Sequence, residues 1–191
     1  MEIISQDELL LQSLLKFFSI PKKINTLYVI VKQEANISLR LLDWFPTNYA
    51  KKQNIYINDV NIHMDYKNQL KGYQKRLLDP FCRRTRIFLG FDVKLIKDTN
   101  TKKIEYTYKF LSNDEHNSYE NRTDGIVTTV GQLNFFKWCI ERDIIKYIFE
   151  NIKEIDRDMN TSSDKKKSNK TFKKNTTGIS KNIMKVTIKF N

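Results

Sequence analysis

Apolar side chains recur every three or four positions in QDELLLQSLLKFFS, residues 6–19, where Leu10, Leu14, Phe17 and Phe18 stand at helical spacing. That period predicts an amphipathic helix. Asp7 and Glu8 favour its start through the helix dipole, and Pro21 closes it. The next run, INTLYVIVKQ, is short, apolar and β-branched, and it reads as either a buried strand or a short helix. Ser38 then stands as the N-cap of LRLLDWFPTNYAKK, in which Leu39, Leu42, Phe45 and Tyr49 share a face. Pro46 lies inside that pattern and should kink the helix or end it near Trp44. Residues 54–64, NIYINDVNIHM, suit a small hairpin turning at Asn58-Asp59, and residues 65–77, DYKNQLKGYQKRL, a further helix. Along that helix Tyr66, Leu70, Tyr73 and Leu77 form an apolar stripe beside a ladder of Lys67, Lys71 and Lys75. Gly72 costs it about 1 kcal/mol relative to alanine, and leaves room for another backbone to approach closely.

After the break at LDPF, residues 84–97 read as a strand with Gly90 as a candidate bulge, and IEYTYKF alternates as its hairpin partner. SNDEHNSYENRTDG, 112–125, is a polar loop. Thr129 followed three residues later by Gln132 is a capping-box signature opening a long apolar helical pattern. That pattern divides near Arg142-Asp143, because thirty residues make too long a rod for a domain of this size. The lysine-rich stretch after it is almost without apolar residues and predicts a flexible tether. IMKVTIKFN alternates again, so a terminal strand must bury Met184, Val186, Ile188 and Phe190 against its own sheet or a partner's. The expectation is an α+β domain over 1–158, helices packed on a small, mainly antiparallel sheet. A basic tether over 159–180 and a C-terminal docking strand over 181–191 follow it.

Charge changes this picture. The chain of 191 residues carries a formal net charge of +12. Residues 67–86 hold Lys67, Lys71, Lys75, Arg76, Arg83, Arg84 and Arg86 against Asp79 alone, a net of +6. Residues 159–191 hold nine lysines against Asp164 alone, a net of +8, so the remainder of the chain is slightly acidic. Basic charge concentrated in two segments is the footprint of a polyanion-binding protein, although basic surfaces also serve solubility. In LDPFCRRTRIFL, strand alternation would put Arg84 and Arg86 on one side and Thr85 and Ile87 on the other. Guanidinium groups can grip phosphate oxygens bidentately, with Tyr66, Tyr73 or Phe81 available to stack on bases. The competing reading pairs Arg84 and Arg86 with Asp79, Asp92 or Glu105. In the tether Lys165, Lys166, Lys167, Lys170, Lys173 and Lys174 suit non-specific phosphate contact.

Catalytic patterns are sparse. Phosphate-loop and dinucleotide-binding motifs are absent, and Cys82 and Cys139 with His63 and His116 have no zinc-site spacing. Both thiols read as reduced and mostly buried, and both histidines as bystanders. Asp79, Asp92 and Lys94 loosely imitate a metal-dependent nuclease, but Asp79 precedes the same strand, so convergence is poor. The reading is non-enzymatic, with no cofactor and no metal. TTVGQLNFFKWCIERDIIKYI starts like a DNA-reading helix, yet its aromatic density argues for core. An acidic N-terminus and the lack of any apolar stretch of about 20 residues fit a soluble intracellular protein.

Several stretches together resemble a family of proteins from nucleocytoplasmic large DNA viruses. They are SLRLLDWFPTNYAKK, DYKNQLKGYQKRLLDPFCRRTRI, TTVGQLNFFKWCIERDIIKYI with a later DMN, and a basic tail ending in a hydrophobic strand. DPFCRR and GQLNFF are the most specific phrases, and Pro46 departs from a pattern in which an aliphatic residue continues the helix. The resemblance implies a viral protein made in an infected cell, in the host cytoplasm (viral factory) or the virion. It implies no catalytic residues. Joined to the charge pattern, it suggests a non-enzymatic nucleic-acid-binding accessory protein, with DNA favoured as the nucleic acid, acting in genome packaging, replication or late transcription. The alternative is a virion or assembly protein that binds a viral partner through its C-terminal strand, 183–191, and its basic surface.

Overall fold

The computed structural model describes residues 6–92, 105–110 and 124–162. The tether lysines, the C-terminal strand, His116, the polar loop up to 123 and the proposed end of the first long strand lie outside them. The architecture is α+β. Helices α1 (Gln6–Phe18), α2 (Pro21–Val31) and α3 (Leu39–Trp44) come first, followed by a π-helical turn (Phe45–Tyr49) and α4 (Ala50–Gln53). A hairpin of β1 (Tyr56–Ile57) and β2 (Val60–Asn61) leads into α5 (Ile62–Gly72) and a 3-10 turn (Lys75–Leu77). Strands β3 (Arg86–Asp92), β4 (Glu105–Phe110) and β5 (Gly125–Thr129) form an antiparallel sheet in the order β4-β3-β5. Helices α6 (Val130–Glu141), α7 (Ile144–Glu150) and α8 (152–162) complete the described chain.

The local signals act as their chemistry requires. Ser38 Oγ accepts from the Leu41 N–H at 3.1 Å, and Thr129 Oγ1 accepts from the Gln132 N–H at 3.1 Å. Pro46, without an N–H, ends α3 at Trp44 and turns the following residues into the wider π-helical turn. Asn58 and Asp59 both have positive φ, the backbone of a type I′ hairpin turn. The long C-terminal pattern breaks at Arg142-Asp143, where Asp143 is left-handed.

Other elements differ from the sequence expectation. INTLYVIVKQ is helical: Pro21 sits in the first turn of α2, where its missing N–H is harmless, and Ile24, Leu27 and Ile30 face the core. The hairpin is shorter than 54–64 because Asn61 Oδ1 accepts from the Met64 N–H at 2.9 Å and starts α5 three residues early. That helix stops at Gly72, and Tyr73 is extended, so Lys75 leaves the lysine ladder for the 3-10 turn. A Cβ on Gly72 would meet nothing within 4 Å, so no backbone approaches it. Gly90 forms no bulge; pairing runs one residue for one from Ile87↔Phe110 to Asp92↔Glu105. Strand β5 was not anticipated, and α8 runs to 162 with Met159 buried.

The core is centred on α6. Leu133, Phe135, Phe136 and Cys139 are fully buried, and α6 packs against α1, the 3-10 turn, α7 and β5. The indole N–H of Trp138 donates to Asp65 at 2.8 Å, and Arg142 Nε donates to the same carboxylate at 2.8 Å, tying α6 to α5. A second tie repeats the chemistry: Asp158 of α8 accepts from Trp44 at 3.3 Å and pairs with Lys52. Among the described residues no helix is long and apolar enough to cross a membrane.

Candidate nucleic-acid interface

The basic segment between α5 and β3 is irregular, yet it is gripped tightly. Four buried polar residues, Thr128, Thr129, Gln132 and Asn134, lie at the start of α6. Three of them bond its backbone: Asn134 Nδ2 donates to the Leu77 carbonyl at 2.8 Å, Gln132 Nε2 to the Pro80 carbonyl at 3.0 Å, and Thr129 Oγ1 to the Cys82 carbonyl at 3.4 Å. The fourth, Thr128, donates to Gln132 Oε1 at 2.8 Å and fixes which end of that amide faces Pro80. In return the Asp79 N–H donates to the Gly131 carbonyl at 3.3 Å. Gly131 is small for a physical reason, since a Cβ there would lie 2.2 Å from the Arg76 carbonyl oxygen. The two phrases LDPFC and TTVGQLN are therefore the two halves of one clamp. Thr129 and Gln132 make only half of a capping box, because the Gln132 side chain is spent on Pro80 rather than on the Thr129 N–H.

On this clamp the cations divide. Arg76 and Arg84 line a hollow of about 300 Å³ with Asp7, Glu8 and Leu11 of α1 and Val130 and Gly131 of α6. Arg76 is paired there with Asp7 at 3.5 Å. Arg83 and Arg86 line a second hollow of about 230 Å³ with Val127, Thr128, Thr129 and Gln132. Cys82 borders both. The cause is Thr85, whose φ of 52° is left-handed, an outlying backbone for a β-branched residue. Strand geometry begins only at Arg86, so Arg84 and Arg86 do not share a face as simple alternation would have it. Arg83 and Arg84 are exposed and Arg86 half-buried, and among the described residues none of the three forms an ion pair.

Lys67 and Lys71 are exposed on α5 and line neither hollow. Lys75 is close enough to Asp43 to oppose the rise in that carboxyl's pKa, which burial drives and the Asp79 charge assists. Tyr66 is not free to stack on a base. It is buried against Trp138 with ring centroids 5.3 Å apart, and its phenol is pushed up to about 12 chiefly by burial. Phe81 is exposed, and Tyr73 half-buried.

Asp79 is a turn residue; its Oδ1 accepts from the Phe81 N–H at 2.9 Å. Among the described residues no three His, Cys, Asp or Glu side chains converge on a possible metal position. Lys94 of the nuclease pattern lies outside them. His63 is on the first turn of α5 rather than in a strand, where its Nδ1–H donates to the Pro46 carbonyl at 2.9 Å. Cys139 is buried, and burial raises its thiol pKa well above the ordinary range, whereas Cys82 is half-buried. The aromatic run after Gln132 is core, as its density suggested. Sequence reasoning missed the clamp, and only its capping Thr129 and Gln132 carried a local signal.

Residues 3–189 match a family described as a family of unknown function, DUF7197, and the chain belongs to it. It is similar to "Uncharacterized protein L507" of Acanthamoeba polyphaga mimivirus, with 35% identity across 81% of this chain. The match spans 54% of that relative, so the chain corresponds to about half its length. The origin that these comparisons support is a giant virus, and no solved structure matches.

Proposed function

We propose that this is a non-enzymatic nucleic-acid-binding accessory protein of a giant virus, acting on the viral genome in packaging, replication or late transcription. The observation that carries the reading is the clamped segment from Lys75 to Arg86. It holds five cations against one acid, on backbone fixed by buried hydrogen bonds to α6. Cations held on an ordered backbone lose less freedom on binding than cations on a loose loop, which favours affinity. Arg83, Arg84 and Arg86 form no ion pair among the described residues, so the segment keeps guanidinium donors for phosphate oxygens. Exposed Lys67 and Lys71 add positive potential, and Phe81 offers an aromatic face for a splayed base. The tether lysines, Lys165 to Lys174, would add sequence-independent affinity.

Fluorescence anisotropy with labelled duplex and single-stranded DNA and RNA across a salt series tests this. Affinity should fall steeply with salt, and charge reversal across Arg83, Arg84 and Arg86 should weaken binding and flatten the log–log slope by roughly 1 to 2. Undetectable binding near physiological salt, or binding untouched by that reversal, would overturn the reading.

A further inference from the structure

Resting on that nucleic-acid reading, we infer that one backbone phosphate is seated in the hollow between Arg83 and Arg86, and that the larger hollow at Arg84 is closed to anions by Asp7 and Glu8. The two hollows are neighbours across Cys82, but their charges differ. The larger has two arginines and two carboxylates in its lining, so their charges cancel. The smaller has two arginines and, among the described residues, no acid. A phosphodiester carries one negative charge on two free oxygens, and two guanidinium groups lining one hollow can offer each oxygen charged donors and leave positive charge in excess.

The smaller hollow is also the more ordered. Arg86 opens β3 opposite Thr129, is half-buried, and stands beside Thr128, Thr129 and Gln132, which the clamp immobilises. Arg83 is brought to the same hollow, and the left-handed turn at Thr85 sends Arg84 to the other. A strained backbone at this point is a position at which structure is held against its local preference, a common mark of functional sites. The Asp7–Arg76 pair, by contrast, is exposed at both ends and holds α1's acidic turn over the larger hollow. That turn acts as an internal competitor for anions.

The test uses the full chain and four variants: R83Q/R86Q, R84Q, D7N/E8Q and R83K/R86K. With labelled duplex DNA at fixed low salt, R83Q/R86Q should bind at least about tenfold more weakly, whereas R84Q should change affinity by less than about threefold. R83K/R86K should recover part of the loss because charge is kept, and D7N/E8Q should bind several-fold tighter. Inorganic phosphate, followed by thermal shift, gives a reading independent of nucleic acid. It should stabilise the wild type and R84Q but not R83Q/R86Q, with circular dichroism confirming that each variant is folded. If R84Q loses as much as R83Q/R86Q, or D7N/E8Q binds no tighter, the assignment of the hollows fails while nucleic-acid binding stands. A wild type that binds no DNA overturns the nucleic-acid reading, and one that inorganic phosphate does not stabilise overturns the seat itself.

Discussion

Replacing Gly131 by alanine sets two physical effects against each other and measures the clamp directly. Gly131 lies in the first turn of α6 with ordinary helical backbone, so alanine there gains up to about 1 kcal/mol of helix propensity. The new Cβ, however, would stand 2.2 Å from the Arg76 carbonyl oxygen, where ordinary contact begins at 3.4 Å. The two backbones must part by about the difference, 1.2 Å, because neither is the end of a flexible side chain. Such a shift carries the 2.8 Å and 3.0 Å bonds from Asn134 and Gln132 to the Leu77 and Pro80 carbonyls beyond hydrogen-bonding distance. Overpacking of this kind costs about 1–3 kcal/mol, and each buried polar group left unsatisfied about 1–3 kcal/mol more. Part of the strain relaxes through the irregular segment, so the expected net destabilisation is about 2–4 kcal/mol. Urea unfolding should show it as a midpoint lowered by about 1–2 M, taking a slope of about 2 kcal/mol per M for a domain of this size. Gly72→Ala is the control, since open space surrounds that position, and it should be neutral or stabilising by up to about 1 kcal/mol. A G131A midpoint at or above wild type, or equal losses in the two variants, would refute the clamp reasoning.

Thr85→Gly should raise the urea midpoint: relief of the left-handed strain, about 1–3 kcal/mol, exceeds the roughly 1 kcal/mol of extra unfolded-chain freedom, and the exposed side chain forfeits little packing. A clear loss of stability would show that Thr85 is not strained. Alkaline pH should destabilise the protein, because Tyr49 and Tyr66 are held near 12 and Cys139 is raised well above its usual value of 9.0. The folded state then binds more protons than the unfolded one, so stability falls as pH rises from about 9 through 12. Urea midpoints across that range, with tyrosinate absorbance at equilibrium, check it, and a flat profile would contradict the burial of these groups.

Much of the helical framework was legible in the sequence because its signals act within three or four residues. Ser38 and Thr129 cap the N–H groups that spacing indicated, Pro46 ends α3, and Asn58-Asp59 turns the hairpin. The hairpin of β3 with β4 was equally visible in alternation. Where two local signals competed, the pattern misled: Asn61 caps α5 before the apolar stripe begins, and Pro21 starts a helix that its β-branched residues left ambiguous.

The sequence by itself determined that this is an α+β chain with its basic charge concentrated in two segments, since periodicity and charge are properties of neighbours along the chain. Only the tertiary structure decided what the first of those segments does with its charge. Strand β5 forms because β3 supplies a pairing partner some forty residues earlier, and Gly131 is required because Arg76 crosses it. Arg84 lines one hollow with Asp7 and Glu8 while Arg83 and Arg86 line another, and the left-handed Thr85 stands between Arg84 and Arg86. Such choices depend on groups distant in sequence meeting in space, and no local pattern of side chains encodes that meeting.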